Sequence, residues 1–172
     1  LPDSPHIHFH FTKRFSQEDR AVLLAAARSV RPHGIYSFVS INIGHGVRFY
    51  DRRPESDGSL ARGNFVVGGR GQVYVSTTGF NPYRKAMGTP VVLEVNVRTE
   101  RPDGSHQPVD LRATAVQILS LTKLNWASTD SLCAEPITTK YAGDIAYFTA
   151  AFLRQGGQFQ LHPVLERTPW FI

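Results

Sequence analysis

The chain is poor in sulfur, with one cysteine and one methionine among 172 residues. A lone Cys133 cannot close an internal disulfide or build a thiolate metal centre, so the composition fits a reducing compartment and an inert thiol. No apolar run reaches 18 residues, which excludes a membrane-spanning helix. No internal repeat and no low-complexity stretch interrupts the chain. Acids are scarce as well: 14 Asp and Glu stand against 19 Lys and Arg, for a net charge of +5. A two-metal nuclease needs several carboxylates converging on its ions, a demand that so few acids, mostly in loops, meet with difficulty. The positive balance favours an anionic partner such as nucleic acid. No serine or cysteine nucleophile with an identifiable base stands out. Gly68-Gly69-Arg70-Gly71 lacks both the lysine-serine ending of a phosphate-binding loop and the strand-to-helix setting of a dinucleotide fingerprint, and reads as a hairpin turn.

What is present suits one domain with a real core: 41% hydrophobic composition, eleven Phe and six Tyr, pointing to strands and aromatic packing. The Pro-rich start, residues 1–5, reads as a linker or cut end. His6 to Phe11 alternates histidine with apolar residues, the period of a strand with different chemistry on its two faces. Ser16 with Asp19 makes a capping-box start for a helix carrying Val22, Leu23, Ala26, Ala27 and Val30, closed by Pro32-His33-Gly34. Ile35 to Ile43 reads as a strand, Gly44-His45-Gly46 as a turn and Val47 to Tyr50 as the returning strand. An exposed loop over 51–61 leads to strands near 63–68 and 71–77, and the last clear strand is Val91 to Thr99, closed by Pro102-Asp103-Gly104. Asp110 caps a helix to about Leu124; after Pro136, Thr138 or Thr139 opens another that runs to Arg154 before Gly156-Gly157. Strand, helix, strands and two helices predict a mixed α/β domain, a central sheet covered by helices.

Three constellations carry possible chemistry. Arg48, Arg52, Arg53, Arg62 and Arg70, interleaved with Asp51, Glu55 and Asp57, fit either a solvated loop face or a phosphate-contacting one. His6, His8 and His10 share one strand face, which suits zinc if a further ligand arrives from elsewhere, and equally suits an exposed face or one meeting phosphate. The chain ends Thr168-Pro169-Trp170-Phe171-Ile172. Burying three such side chains recovers roughly 1.5 to 3 kcal/mol each, so the tail reads as docked, with the Ile172 carboxylate held where it can bind a cation, pair with Lys or Arg, or sit in water.

From Val109 onward, the run Gln117-Ile118-Leu119-Ser120-Leu121-Thr122-Lys123-Leu124-Asn125-Trp126, then Pro136-Ile137-Thr138-Thr139-Lys140-Tyr141-Ala142, a helix and an apolar end, resembles the C-terminal part of a prokaryotic Argonaute PIWI domain. Gly88-Thr89-Pro90 leading into Val91-Val92-Leu93 is similar to the segment before the last strand there, and Phe38 to Phe49 has the place of its paired strands. The resemblance spans most of residues 6–172. It implies an α/β, RNase H-like PIWI fold, incomplete in this chain, with residues 1–172 as the C-terminal portion of that domain.

The resemblance further implies guide-strand-dependent binding of nucleic acid in the cytoplasm, with sequence read by base pairing and the protein contacting backbone and phosphate. Active relatives cut with four metal ligands. The first two would precede Leu1; the third and fourth fall on Thr12 and Gly143, a poor ligand and a residue without a side chain, so cleavage is expected to be lost. Asp144 would rescue the fourth position only by a one-residue shift, which turns a helical side chain by about 100°. Lys123, Asn125, Lys140 and Tyr141 occupy segments that approach guide phosphates in relatives. The Ile172 carboxylate matches the one that helps hold Mg²⁺, or Mn²⁺, beside the guide 5′ phosphate, in a pocket completed by a MID domain or MID-containing chain. An associated effector protein is a further expected partner. The competing expectations are an active guided endonuclease using Asp144 with acids outside this chain, and a protein-interaction domain.

Overall fold

The computed structural model describes residues 6–53, 58–79, 92–101, 103–126, 133–157 and 160–168. The chain runs β1 (His6–Phe11), α1 (Gln17–Val30), β2 (Ile35–Asn42), β3 (Phe65–Gly69), β4 (Gln72–Val75), β5 (Leu93–Glu100), β6 (His106–Gln107), α2 (Leu111–Leu121) and α3 (Ile137–Arg154), with a 3-10 turn at Pro163–Arg167. The strands form one mixed sheet in the order β1-β2-β5-β4-β3, with β6 beside β5. β1 and β2 are parallel, from His6 opposite Ile35 to Phe11 opposite Ser40, and the other pairs are antiparallel.

A side-chain period of two sends alternate residues of each strand to opposite layers. Val39, Ile41, Val73, Val75, Leu93, Val95 and Val97 meet Ala115 and Ile118 of α2 in the larger core. Tyr36 and Phe38 turn the other way, onto Leu24 of α1, with Ile7, Phe9, Phe15, Leu23 and Ala27 around them. Helix α1 starts on the expected capping box, Ser16 Oγ accepting the Asp19 N–H at 3.0 Å while Asp19 Oδ2 accepts the Ser16 N–H at 2.9 Å. It stops where the Tyr36 hydroxyl donates to the Arg31 carbonyl. The next turn needs Gly34, because a Cβ there would lie 2.7 Å from that hydroxyl on a fully buried ring. Gly71, at φ +73°, closes the expected β3–β4 hairpin.

Several sequence expectations are corrected. Val47 to Tyr50 forms no strand; Tyr50 makes one isolated bridge, to Ser59. Both edges of β2 are already taken, by β1 and β5, so no returning strand can pair there. His45 instead pins the segment, its Nε2 2.7 Å from the Val92 carbonyl and its Nδ1 accepting the Val47 N–H at 3.2 Å. Helix α2 is capped by Asp110 as expected but ends at Leu121, where the Thr122 hydroxyl donates to the Leu119 carbonyl at 2.6 Å. Pro136, rather than Thr138 or Thr139, caps α3; the buried Thr139 hydroxyl returns to the Pro136 carbonyl at 3.0 Å. After the turn at Gly104 the chain comes back against β5 as β6, a strand too short to show a period. The segment 80–91 and the terminal residues Trp170, Phe171 and Ile172, with the expectations placed on them, lie outside the described residues.

Candidate nucleic-acid interface

Thr12 follows the last residue of β1 and is exposed. It lines a cavity of about 240 Å³ with Ile41, Asn42, Ile43 and Gly44 at the end of β2 and with Glu135 and Thr139 at the start of α3. His10 Nδ1 and Thr138 Oγ1, 2.8 Å apart, tie β1 to the first turn of that helix. Gly143 is exposed one turn beyond Thr139, and a Cβ on it would meet nothing within 4 Å. The end of β1 that precedes Thr12 thus neighbours the start of α3, and Gly143 lies farther along that helix. The cavity itself offers two threonine hydroxyls, one amide and the single carboxylate of Glu135, a donor set that does not fit a divalent ion. Among the described residues, no group of three or more His, Cys, Asp or Glu is placed to hold a metal.

Asp144 is engaged elsewhere: its Oδ2 accepts from Lys140 Nζ at 2.7 Å, one turn back along α3. That hydrogen bond raises the lysine pKa, keeping it a cation. Asn125 and Tyr141 are brought together, the Tyr141 hydroxyl donating to Asn125 Oδ1 at 3.3 Å and accepting the Trp126 N–H at 3.0 Å. The chain after α2 is thereby fastened to α3, with Lys123 exposed and Trp126 79% exposed at its surface.

The arginine group does not act as one patch. Arg48 donates to the carbonyls of His45 and Val47, Arg53 chelates Asp51 and Arg62 reaches the Thr122 hydroxyl, while Arg52 and Arg70 are exposed. The three histidines of β1 are neutral rather than cationic. Burial, and then the charges of His6 and His10, pushes the His8 pKa down to about 4, and burial also lowers those of His6 and His10. A neutral face supplies no charge for phosphate. Nor do these histidines form, with any other His, Cys, Asp or Glu among the described residues, a group placed to hold a metal.

One polar cluster was not anticipated. Glu94 is buried in the sheet and accepts hydrogen bonds from Asn42 Nδ2 at 2.9 Å, Gln72 Nε2 at 2.8 Å and Asn96 Nδ2 at 3.2 Å, with Arg14 3.8 Å away. Burial pushes its carboxyl pKa up, but the amides, with His45, outweigh that and hold it below the usual range. The signal in the sequence was the alternation of Asn42, Gln72, Glu94 and Asn96 with apolar strand neighbours, which becomes a cluster only once the register is known.

No protein-family model matches the sequence, and no curated protein matches it. Solved structures do. A Clostridium butyricum Argonaute bound to a guide DNA with 5′ deoxycytidine and a 19-mer target DNA is 18% identical, with a TM-score of 0.61 over 83% of this chain and 17% of its own. Aa-Ago with externally bound siRNA is 18% identical, with a TM-score of 0.63 over 86% of this chain and 18% of its own. The chain therefore spans less than a fifth of the length of either protein. Its mixed sheet and three helices have the RNase H-like PIWI fold of these prokaryotic Argonautes.

Proposed function

We propose that residues 1–172 are the C-terminal part of an Argonaute-type PIWI domain that holds a guide strand and its complementary target without cutting. The observation carrying this reading is the fold match over 83–86% of the chain, joined to the identities of Thr12, just after β1, and Gly143, on α3. Lys123, Asn125, Lys140 and Tyr141, gathered where the chain after α2 meets α3, contact the phosphates of the guide. The Ile172 carboxylate would help hold Mg²⁺ or Mn²⁺ at the guide 5′ phosphate, where the ion supplies charge neutralisation. A MID domain or MID-containing chain completes that pocket, an effector protein is a further partner, and the cytoplasm is the place of action. No helix among the described residues is long and apolar enough to cross a membrane.

The test is to load the protein with a 5′-phosphorylated guide and offer a labelled complementary target with Mn²⁺. Retention of an uncut target is expected. Cleavage opposite the middle of the guide, abolished by Asp144→Ala, would establish the active alternative instead, and equal retention of complementary and unrelated targets would leave only the protein-interaction reading.

A further inference from the structure

The sheet has two ends, and a group of arginines gathers at the one remote from Thr12. β1 and β2 are parallel, so His6 and Ile35 begin at one end while Phe11 and Asn42 finish towards the other; β5 runs back and brings Glu100 opposite Tyr36 at the first end. From Tyr36 to Asn42 the strand rises by roughly 20 Å.

Three parts of the chain supply the group. Helix α1 gives Arg28 in its last turn and Arg31 just beyond it, β5 gives Arg98, and the turn after β5 gives Arg101. Strand β5 carries Leu93, Val95 and Val97 into the core beneath α2, while the alternate row, Glu94, Asn96, Arg98 and Glu100, is polar throughout. Helix α1 covers Tyr36 and Phe38 of β2 on that second face, and Arg98, opposite Phe38 in the register, is left exposed.

Hydrogen bonds hold the arginines together without neutralising them. Arg28 Nη2 donates to the Arg101 carbonyl at 3.1 Å, Arg101 Nε donates to Gln107 Oε1 at 3.4 Å, and Arg98 Nη2 lies 2.7 Å from His106 Nε2. Arg28 Nε is shielded from water and has no partner, although buried donors are nearly always paired. The acids nearby are engaged. Glu100 Oε1 is 3.4 Å from Arg98 Nε and 4.0 Å from Arg20 Nε, Asp103 Oδ1 accepts the Ser105 N–H at 2.8 Å, and Asp110 caps α2. Among the described residues, Arg28, Arg31 and Arg101 make no ion pair with a carboxylate.

We propose that this end of the sheet is a second nucleic-acid contact, at which Arg28, Arg31, Arg98 and Arg101 take the phosphodiester backbone of a strand, apart from the junction of α2 and α3. Guanidinium forks match phosphate oxygens, and an unbalanced group of them on open surface suits an extended polyanion better than a small anion that needs enclosure. The site does not depend on guide loading.

Anisotropy of a labelled 20-nucleotide single strand without a 5′ phosphate, read across a salt series, tests this. Replacing the three exposed arginines together, Arg31→Gln, Arg98→Gln and Arg101→Gln, should reduce the slope of log affinity against log salt by about 2, because each phosphate contact on a single strand contributes roughly 0.7. Lysine at the same three positions should keep the slope. Adding Lys123→Ala with Lys140→Ala to the glutamine variant should lower the slope further if both ends bind. An unchanged slope in the glutamine variant would overturn the proposal, as would an equal loss in the lysine variant, which would show the positions acting through the fold. Displacement of the strand by polyglutamate of equal charge at equal concentration would also overturn it, and would make an acidic protein segment the partner. Retention of a complementary target by guide-loaded protein is read separately, so failure here leaves the guided-binding reading intact.

Discussion

His8 shows how far residue identity and residue state can separate. Alternation placed three histidines on one strand face, and that placement is observed; their lowered pKa values follow from burial, which the sequence does not display. With a folded pKa of about 4 against a usual 6.5, His8 binds its proton later in the folded chain than in the unfolded one as pH falls. The unfolded state then holds more protons between those values, so stability present above pH 6.5 is lost progressively down to about pH 4, and the lowered pKa values of His6 and His10 act in the same direction. His8→Asn should flatten this dependence, read as a smaller difference in urea midpoint between pH 7 and pH 5. The same separation applies to Thr12 and Gly143. Their identities were plain in the sequence, but the surroundings of Thr12 depended on Glu135 and Thr139 arriving from the segment that opens α3.

Elements were legible where the signal was local. The Ser16–Asp19 box, the Asp110 cap and the Gly71 turn each satisfy backbone groups within a few residues, and each is where the sequence placed it. The strand expected at Val47–Tyr50 failed because strand formation needs a free neighbour, and β5, more than forty residues downstream, occupies the place. Asp110 gives a direct measure of one local signal. Its Oδ1 accepts the Ala113 N–H at 2.9 Å, so Asp110→Ala should lower unfolding stability in urea by about 1 kcal/mol with an unchanged m-value.

At the scale of the whole molecule, net charge predicted an anionic partner but not its seat. The arginines that crowd the sequence between 48 and 70 turn partly to carbonyls, to Asp51 and to Thr122, whereas Lys123 and the Asn125–Tyr141 pair meet at the junction of α2 and α3. If that junction contacts phosphates, Lys123→Ala with Lys140→Ala should weaken binding of a 5′-phosphorylated oligonucleotide and reduce the slope of log affinity against log salt by about 1.4 to 1.8, measured by fluorescence anisotropy across a salt series. An unchanged slope would place the contacts elsewhere. The resemblance named these residues from the sequence, but only the fold brings Asn125, after α2, against Tyr141 of α3.

The pairing of Tyr36 with Glu100 also bears on how the chain comes to be folded. It joins positions on the order of sixty residues apart, a closure that costs entropy before it returns any burial, whereas the β3–β4 hairpin and the capped helices close locally and early. The centre of the sheet is therefore expected to assemble late. Until it does, β2 and β5 present apolar strands without partners, and among the described residues β1 keeps an open side even afterwards. The chain's hazard on the way to its native state is intermolecular strand pairing, greatest at high concentration and during synthesis.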